Sequence, residues 1–585
     1  MRMQRGLLRW IGPCSALACL VVLPIRAQDS VIVIDPDAPF ADSAPGGGLP
    51  RAVIEEVLRA WNDSTAVRLI GQAEIPAGTT VTGHVAVFRG ILQVAGTIDG
   101  PVTVINGNAI LLPGGRITGG VLVVGGRLVV QEGGVHEGDA REYWDIAPVY
   151  RDRDGLLAVR EPHNFTDLGT AEASFDLGEV RATVHASTGG TYNRVEGFPL
   201  ALGPEFAWRP GPSDRLRLDL TGIVRTTTDQ AGIRSDFGYR ARLDWRNLGE
   251  IGFGAGIEAY SIVTAIEEQN LSLAESGWSS ILLQRDYHDY YDNQGYGGYL
   301  FIEPARQFKV QFSLRRDRER TVRANDPWSL FRNTSSWRSN PLIDDGHFVT
   351  GGIDVTLDTR DSRSLPSRGW YARARLEIGS SDDVAPTDLP AGVRDPIPTD
   401  GSYEYSMFSL DARRNIRLSP ESRLGLRLYG AGWVGGDPLP VQRRQSVGGF
   451  DILPGHDFRA VRCASAEDSD PSNASLCDRM AAAQIEFRTR LSLGWRYRLR
   501  EGERPDLDRI IGIESADLVV FANTGNAWLT GDGPGRVPTN KLPSLDLWKA
   551  DLGVGVDVGF IAAYLAKSVT NGEPIKFSVR LQRRF

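Results

Sequence analysis

The sequence predicts an all-β chain, a C-terminal transmembrane antiparallel β-barrel of about 16 strands preceded by a small N-terminal β-solenoid. Three observations lead there. Segments of about ten residues alternate apolar and polar side chains from Ala171 onward. Three stretches between residues 83 and 138 repeat one pattern. The chain closes on a strand-like run whose last residue is the aromatic Phe585.

At the start, Arg2, Arg5 and Arg9 precede "WIGPCSALACLVVLPI" and a cleavage point after Ala27, the layout of a secretory signal peptide over 1–27. "ALAC" ending at Cys19 has the look of a lipoprotein box, but the apolar core runs on past it. Residues 28–50 are rich in Pro, Gly and Asp and read as a linker. "RAVIEEVLRAWND" (51–63) then sets Val53, Ile54, Val57, Leu58 and Trp61 on one helical face.

The repeats run "GHVAVFRGILQVAGTIDG" (83–100), "PVTVINGNAILLPGGRITG" (101–119) and "GVLVVGGRLVVQEGGVHEG" (120–138). Each holds a Val/Ile strand, a corner at Gly90, Gly107 or Gly126, a second strand and a glycine-rich return. That is one solenoid coil per repeat, with apolar residues stacked inward. The unit 51–138 is therefore a short helix plus solenoid, capped by the helix or by the barrel. It resembles the bactofilin-like polymer-forming repeat.

A polar connector (139–168) leads to the barrel domain (169–585). "FGYRARLDW" sets Phe237, Tyr239, Ala241, Leu243 and Trp245 against Arg240, Arg242 and Asp244. Such alternation suits a barrel whose apolar face meets lipid while charges line the lumen. No segment is long enough for a membrane helix. Residues 316–346 and 380–402 read as long loops.

The net charge of -8 argues against nucleic acid as a partner. With the leader removed, Cys463 and Cys477 remain, separated by 13 mostly polar residues with no His between them, which favours a disulfide over a metal site. Closing that loop is worth about 3 kcal/mol. None of the seven histidines has a partner at metal-ligand spacing, so no metal and no cofactor are expected. In "RDYHDYYDN" (285–293), His288 sits between Asp286 and Asp289, but Tyr287, Tyr290 and Tyr291 read more simply as a membrane-edge aromatic girdle, and no enzyme is expected. Acidic "YRDRDG" and "AEDSDPSN" lack the ligand set of a calcium loop. Inward arginines (Arg240, Arg242, Arg315, Arg373, Arg375, Arg427, Arg488 and Arg490) read as partners of lumen acids such as Asp244, Glu377 and Glu486, or else as an anion-leaning passage.

"GGIDVTLDTRDSRSLPSRGWYARARLEIG" (351–379) and "YNRVEGFPLALGPEF" (192–206) resemble strand pairs of the outer-membrane assembly and translocation superfamily: barrel-assembly proteins, two-partner secretion transporters and bacterial surface antigens. "PIKFSVRLQRRF", with Phe577, Val579, Leu581 and Phe585 on one side, resembles the C-terminal assembly signal of outer-membrane barrels. "QSVGGFDILPGHDFRA" (445–460) is similar to the family's inward-folding loop.

In the family that loop carries an arginine paired with an aspartate of a "Phe-x-Asp-x-Gly" strand, beside a "Glu-x-Arg" strand. The lumen loop here has Gly448, Gly449, Gly455, His456 and Phe458, with Pro454 in the arginine's place. The loop-contacting strands supply Phe521, Asn523 and Gly525, with Asn523 in the aspartate's place, and Glu486 with Arg488. Losing both members of a buried pair costs far less than losing one. The family's small periplasmic α/β domains are not legible in 28–168, where the solenoid stands.

The resemblance implies a bacterial outer-membrane protein with its N-terminal domain in the periplasm, assisting insertion or translocation of proteins or other cargo. The alternatives are a passive pore or transporter, or a structural envelope anchor. Implied partners are outer-membrane lipids, the barrel-assembly machinery for its own insertion, client polypeptides and periplasmic envelope components.

Overall fold

A computed structural model describes residues 51–143, 147, 149–151, 155–159, 170–177, 180–188, 192–208, 210, 214–226, 237–247, 251–267, 271–305, 307–332, 337–360, 366–389, 393–398, 402–419, 421–463, 475–492, 515–558, 561–581 and 584. The expected leader and linker, all of 160–169 and Phe585 lie outside them.

From Val67 the chain winds into a solenoid of three parallel sheets, one of five strands and two of four. Strands in successive coils pair in register, as in Val85↔Val102 and Val102↔Val121. Val85, Val87, Leu92, Val94, Ile98, Val104 and Leu111 are sealed inside. The corner glycines are required by close approach: a Cβ on Gly107 would lie 2.0 Å from the Gly90 carbonyl oxygen.

Helix α1 (Arg51–Asn62) covers a side of the solenoid, not an end of it. The strands of the five-stranded sheet are apolar on both faces, so Phe88, Ile105, Leu122 and Val124 point outward and need cover. Val53, Val57 and Trp61 provide it. Trp61 Nε1 donates to the Gly155 carbonyl at 2.9 Å, and Asn62 exchanges two hydrogen bonds with the backbone of Leu157.

The barrel domain is one antiparallel meander of 17 strands among the described residues, against about sixteen expected. They are β1 (Thr170–Leu177), β2 (Val180–Ser187), β3 (Leu200–Trp208), β4 (Asp214–Val224), β5 (Phe237–Asn247), β6 (Gly252–Ala265), β7 (Tyr290–Ala305), β8 (Phe308–Thr321) and β9 (Gly346–Asp358). Then follow β10 (Gly369–Ser381), β11 (Tyr403–Arg417), β12 (Ser422–Gly436), β13 (Arg479–Ser492), β14 (Ser515–Trp528), β15 (Lys549–Asp557), β16 (Ala562–Ser568) and β17 (Lys576–Arg580). On β5, Phe237, Tyr239, Leu243 and Trp245 are exposed while Asp244 and Arg246 are buried. A flat sheet would leave its charged face wet, so burial of the charged face and exposure of the apolar one mark a sheet curled around its polar side.

Short turns such as 248–251, 306–307 and 418–421 gather at one rim, and long connections such as 266–289, 322–345, 382–402, 437–478 and 529–548 at the other. The solenoid meets the short-turn rim, where Arg417 donates to the Gly125 carbonyl at 3.4 Å. The expected loop 316–346 is shorter than the sequence indicated. Strand β8 continues through the charged run to Thr321, because Asp317 and Glu319 face inward and are buried there. The long-loop rim also holds helix α2 (Leu273–Leu283), capped by Ser272, which no sequence signal pointed out.

Trp61 is 1 % exposed, so Trp61→Ala should cost about 3–5 kcal/mol of packing. The check is protease sensitivity of the full chain, with new cleavage confined to 51–62 and the barrel still resistant.

Candidate functional site

The connection 437–478 between β12 and β13 turns into the barrel instead of standing outside it. Its root is a short ladder in which Gln445 and Cys477 exchange backbone hydrogen bonds at 2.8 and 2.7 Å, and the Cys463–Cys477 disulfide closes the loop. Two arginines stand at the root, Arg444 fully buried and Arg443 half-buried. Arg443 reaches Glu319 on β8 and Glu377 on β10, both at 2.7 Å, and Arg444 reaches Asp478 at 2.9 Å.

Beyond the root, Gly448 and Gly449 take φ values of 129° and 95°, which side chains resist, and a Cβ on Gly448 would lie 2.5 Å from the Ala460 nitrogen. This fold-back makes the tip, 448–459. Asp451 lies between Arg427 on β12 (3.0 Å) and Arg580 at the end of β17 (3.4 Å). Gln484 on β13 donates to the carbonyls of Asp451 and Ile452 at 2.7 and 3.1 Å.

Gly455 donates its backbone N–H to Asp551 on β15 at 2.7 Å, and the other oxygen of Asp551 accepts from Asn523 Nδ2 at 2.6 Å. The carboxylate that the sequence reading looked for at Asn523 is thus one strand over, since Asn523 and Asp551 are cross-strand partners. Its donor on the loop is a main-chain amide; Pro454 is buried beside it. His456 is buried within 3.1 Å of the Ala550 carbonyl and 3.3 Å of Glu573. Phe458 stacks edge-on against Tyr287.

Of the other strand residues singled out, Gly525 touches the loop directly, with Val447 filling the space a Cβ would take. Glu486 and Arg488 face a different group. Arg488 pairs with Glu486 and Asp557, and Glu486 lies 4.0 Å from Arg584. Arg584 is buried, lies 4.0 Å over the Phe521 ring and donates to Asn523 Oδ1 at 2.8 Å. A guanidinium therefore does sit among Phe521, Asn523 and Glu486, but it comes from the end of the chain. The rest of the C-terminal run divides by parity: Phe577 and Val579 are exposed on the outer face, and Leu581 is half-buried.

Arg580 is held by both oxygens of Glu275 on α2, at 2.9 and 3.1 Å, and the Leu581 N–H donates to the same carboxylate at 2.8 Å. Helix α2 thereby clasps the end of the last strand. Among the described residues, β17 pairs with β16 and β1 with β2, and no pairing joins β1 to β17.

At the long-loop mouth, Arg194, Arg338 and Arg459 converge on Asp286, Asp289 and Glu267, most of them fully buried. Burial alone would raise the pKa of Asp289, but Arg338, Arg459 and Arg194 hold it below the ordinary carboxylate range. Arg338 is pushed down to about 10 by burial and by Arg194. Burial keeps His288 below its usual value, and its Nε2 lies 2.6 Å from the Leu271 carbonyl. Tyr290 and Tyr291 are buried as well, hydrogen-bonded to Asp286 and Arg443, which corrects their reading as a membrane-edge girdle.

Seven of the inward arginines have carboxylates within ion-pair range, among them Arg242 with Asp244 (2.9 Å), Arg315 with Glu258 (3.1 Å), Arg373 with Asp354 (2.7 Å), Arg375 with Glu377 (3.4 Å) and Arg490 with Asp517 (3.9 Å). Arg240 is exposed.

A family model described as the Omp85 superfamily domain matches residues 224–560. Similar solved structures include BamA from Haemophilus ducreyi lacking POTRA domains 1-3, at 12% identity and a TM-score of 0.39, covering 71% of this chain and 75% of that one. CdiB from Acinetobacter baumannii follows at 11% identity and a TM-score of 0.29, covering 70% and 60%, and CdiB from Escherichia coli at 10% and 0.29, covering 69% and 63%. The chain spans less than two thirds of either CdiB. A search of curated proteins finds no match.

Two outcomes separate the anchors. Asp551→Ala leaves the Gly455 N–H and the Asn523 amide without an acceptor, at about 1–3 kcal/mol each, and should expose Arg459 to trypsin, whereas Glu486→Gln should not. Asp289→Asn strands buried arginines and should lower barrel stability by about 3–5 kcal/mol, read as an earlier loss of the folded species on heating. Because Asp289 is held below its ordinary range, its contribution is complete above a pH of about 4 and disappears only as pH falls through the lower folded value. The Asp289 contribution should therefore be the same at neutral and mildly acid pH, and any loss of mouth stability as pH falls through about 6.5 should come from His288, whose folded value burial keeps low.

Proposed function

The chain belongs to the Omp85 superfamily, and from that premise we propose how it serves as an outer-membrane insertion and translocation factor: the tip 448–459 fills the lumen at rest and yields when a client polypeptide engages the barrel. The observation that supports this reading is where the tip is tied. Asp451 bonds to β12 on one side and to the end of β17 on the other, and Gly455 bonds to β15. Movement of the last strand relative to the middle of the sheet must break those bonds, so the loop and the strand end respond together.

A passive pore is the weaker alternative. Seven of the eight lumen arginines singled out face carboxylates, so those seven form no ring of like charge to select an ion among the described residues. We place the solenoid in the periplasm, where it would meet envelope partners in the position that other family members give to client-receiving domains. The contact between Arg417 and Gly125 at the short-turn rim supports that placement. The outward Phe577 and Val579 fit a closing-strand signal read by the barrel-assembly machinery.

Depletion of the protein should lower the amount of at least one outer-membrane or secreted client, measured by an inventory of outer-membrane proteins; an unchanged inventory overturns the proposal. In planar bilayers the intact chain should conduct little, and deletion of 448–459 should open large steady channels. Large channels before and after deletion would favour the passive pore.

A further inference from the structure

The chain carries only five lysines, Lys309, Lys541, Lys549, Lys567 and Lys576, and relies on arginine elsewhere. Four of the five gather where β15, β16 and β17 meet the long-loop rim: Lys549 opens β15, Lys567 ends β16, Lys576 opens β17, and Lys541 lies in the 529–548 connection. This departure from the chain's own habit coincides with the most exposed large apolar side chain among the described residues. In the same connection Leu545 is 84 % exposed, Leu542 68 % and Leu547 58 %.

The segment that presents these leucines is built, not frayed. Arg479 Nη1 donates to the Thr539 carbonyl at 2.6 Å, the Lys541 N–H to that of Pro538 at 2.9 Å, and Leu545–Leu547 form a 3-10 turn. Trp548 Nε1 donates to the Pro543 carbonyl at 3.3 Å. The leucines are therefore held outward on a backbone that these bonds fix in place.

They are also continuous with the lipid-facing wall. Leu552 on β15, Val569 just past β16 and Ile575 just before β17 are exposed on the outer face, and Val569 is bonded through its N–H to the Ala550 carbonyl at 2.9 Å. Strands β15, β16 and β17 have nine, seven and five residues, whereas a tilted spanning strand takes about 9–11. The rim is low here, which brings the connection down to the level of the headgroups.

From these observations we infer that the long-loop rim over β15–β17 docks onto the adjoining leaflet, its leucines entering the upper acyl chains and Lys541 and Lys567 meeting anionic headgroups. Moving a leucine from water into acyl chains lowers its free energy, and an indole is favoured at that boundary. Lysine suits the lipid side of the contact, because its compact ammonium rides on a long apolar stem that lies along the chains while the charge stays among phosphates. Lys541 and Lys567 are exposed, and Lys567 is bonded to the Glu573 carbonyl oxygen, which leaves its charge uncompensated by that contact. Lys576 is spent on Asp457 and Glu573 and acts as an inner brace. The occupant is a lipid surface, not a protein, because the patch extends the membrane-facing band without a break.

The test uses the full chain in phosphatidylcholine vesicles, with or without phosphatidylglycerol, and a fluorophore on Leu545→Cys. Emission should shift to the blue and be quenched by lipids brominated near the top of the acyl chain, more strongly with phosphatidylglycerol. The same fluorophore on Asp532→Cys, elsewhere in the connection, should stay unquenched. Lys541→Glu combined with Lys567→Glu should remove the dependence on phosphatidylglycerol while the barrel remains folded. Emission matching that of Asp532→Cys overturns the inference, as does quenching indifferent to headgroup charge. A blue shift without quenching by brominated lipid would mean that protein, a second copy or another partner, covers the leucines, and also overturns it.

Discussion

A charge that faces the inside of a closed sheet is cut off from bulk water and persists only beside its opposite. That condition explains the position of the inward loop. Glu319 and Glu377 on the wall meet Arg443 from the loop root, Arg427 and Arg580 share Asp451 from the tip, and Asp289 at the mouth takes Arg459. The loop is part of the wall's electrostatics, and lifting it out would strand charges on at least five strands and connections at once.

Much of the fold was legible because its two periods are simple. Alternation with a polar lumen face gave the barrel, and glycine corners gave the coils, since a side chain at Gly107 collides with the coil below. The inward loop was legible through Gly448 and Gly449, whose backbone angles few other residues tolerate. What stayed hidden depends on register. Asp551 becomes a loop anchor only because it lies opposite Asn523, and nothing local in "KADLGVGVD" says so. Helix α2 is short and lies in a connection, and Glu275 gains its meaning from Arg580 at the other end of the chain. The tyrosines of "YHDYYDN" misled because aromatic residues suit both a membrane edge and a packed mouth; the flanking aspartates, which need arginine partners, were the better clue.

The altered lock shows what a buried polar site conserves physically. Pro454 and Asn523 stand where the family resemblance implies an arginine and an aspartate, and the site contains a carboxylate, an amide donor and a guanidinium. The carboxylate comes from the neighbouring strand, the loop's donor from its main chain and the guanidinium from Arg584. Proline at 454 costs the site nothing, because the donor is the next residue's N–H, and a glycine there lets the backbone pass close to Asp551. The same pocket is held by different carriers.

The clasp between Glu275 and Arg580 joins residues 305 positions apart. Contacts of such separation form late, since the entropy of closing so long a segment must be met before the bond rewards it. The tip's bonds to Asp551 and Arg580 likewise wait for β15 and β17 to join the sheet. Until then Glu275 and Asp451 lack these buried partners, and the inward loop has nothing on that side to hold it. Seating of the loop is thus a record of a finished wall: until β15 and β17 have joined the sheet the tip lacks its anchors on that side, and only with both in place can the wall draw it in.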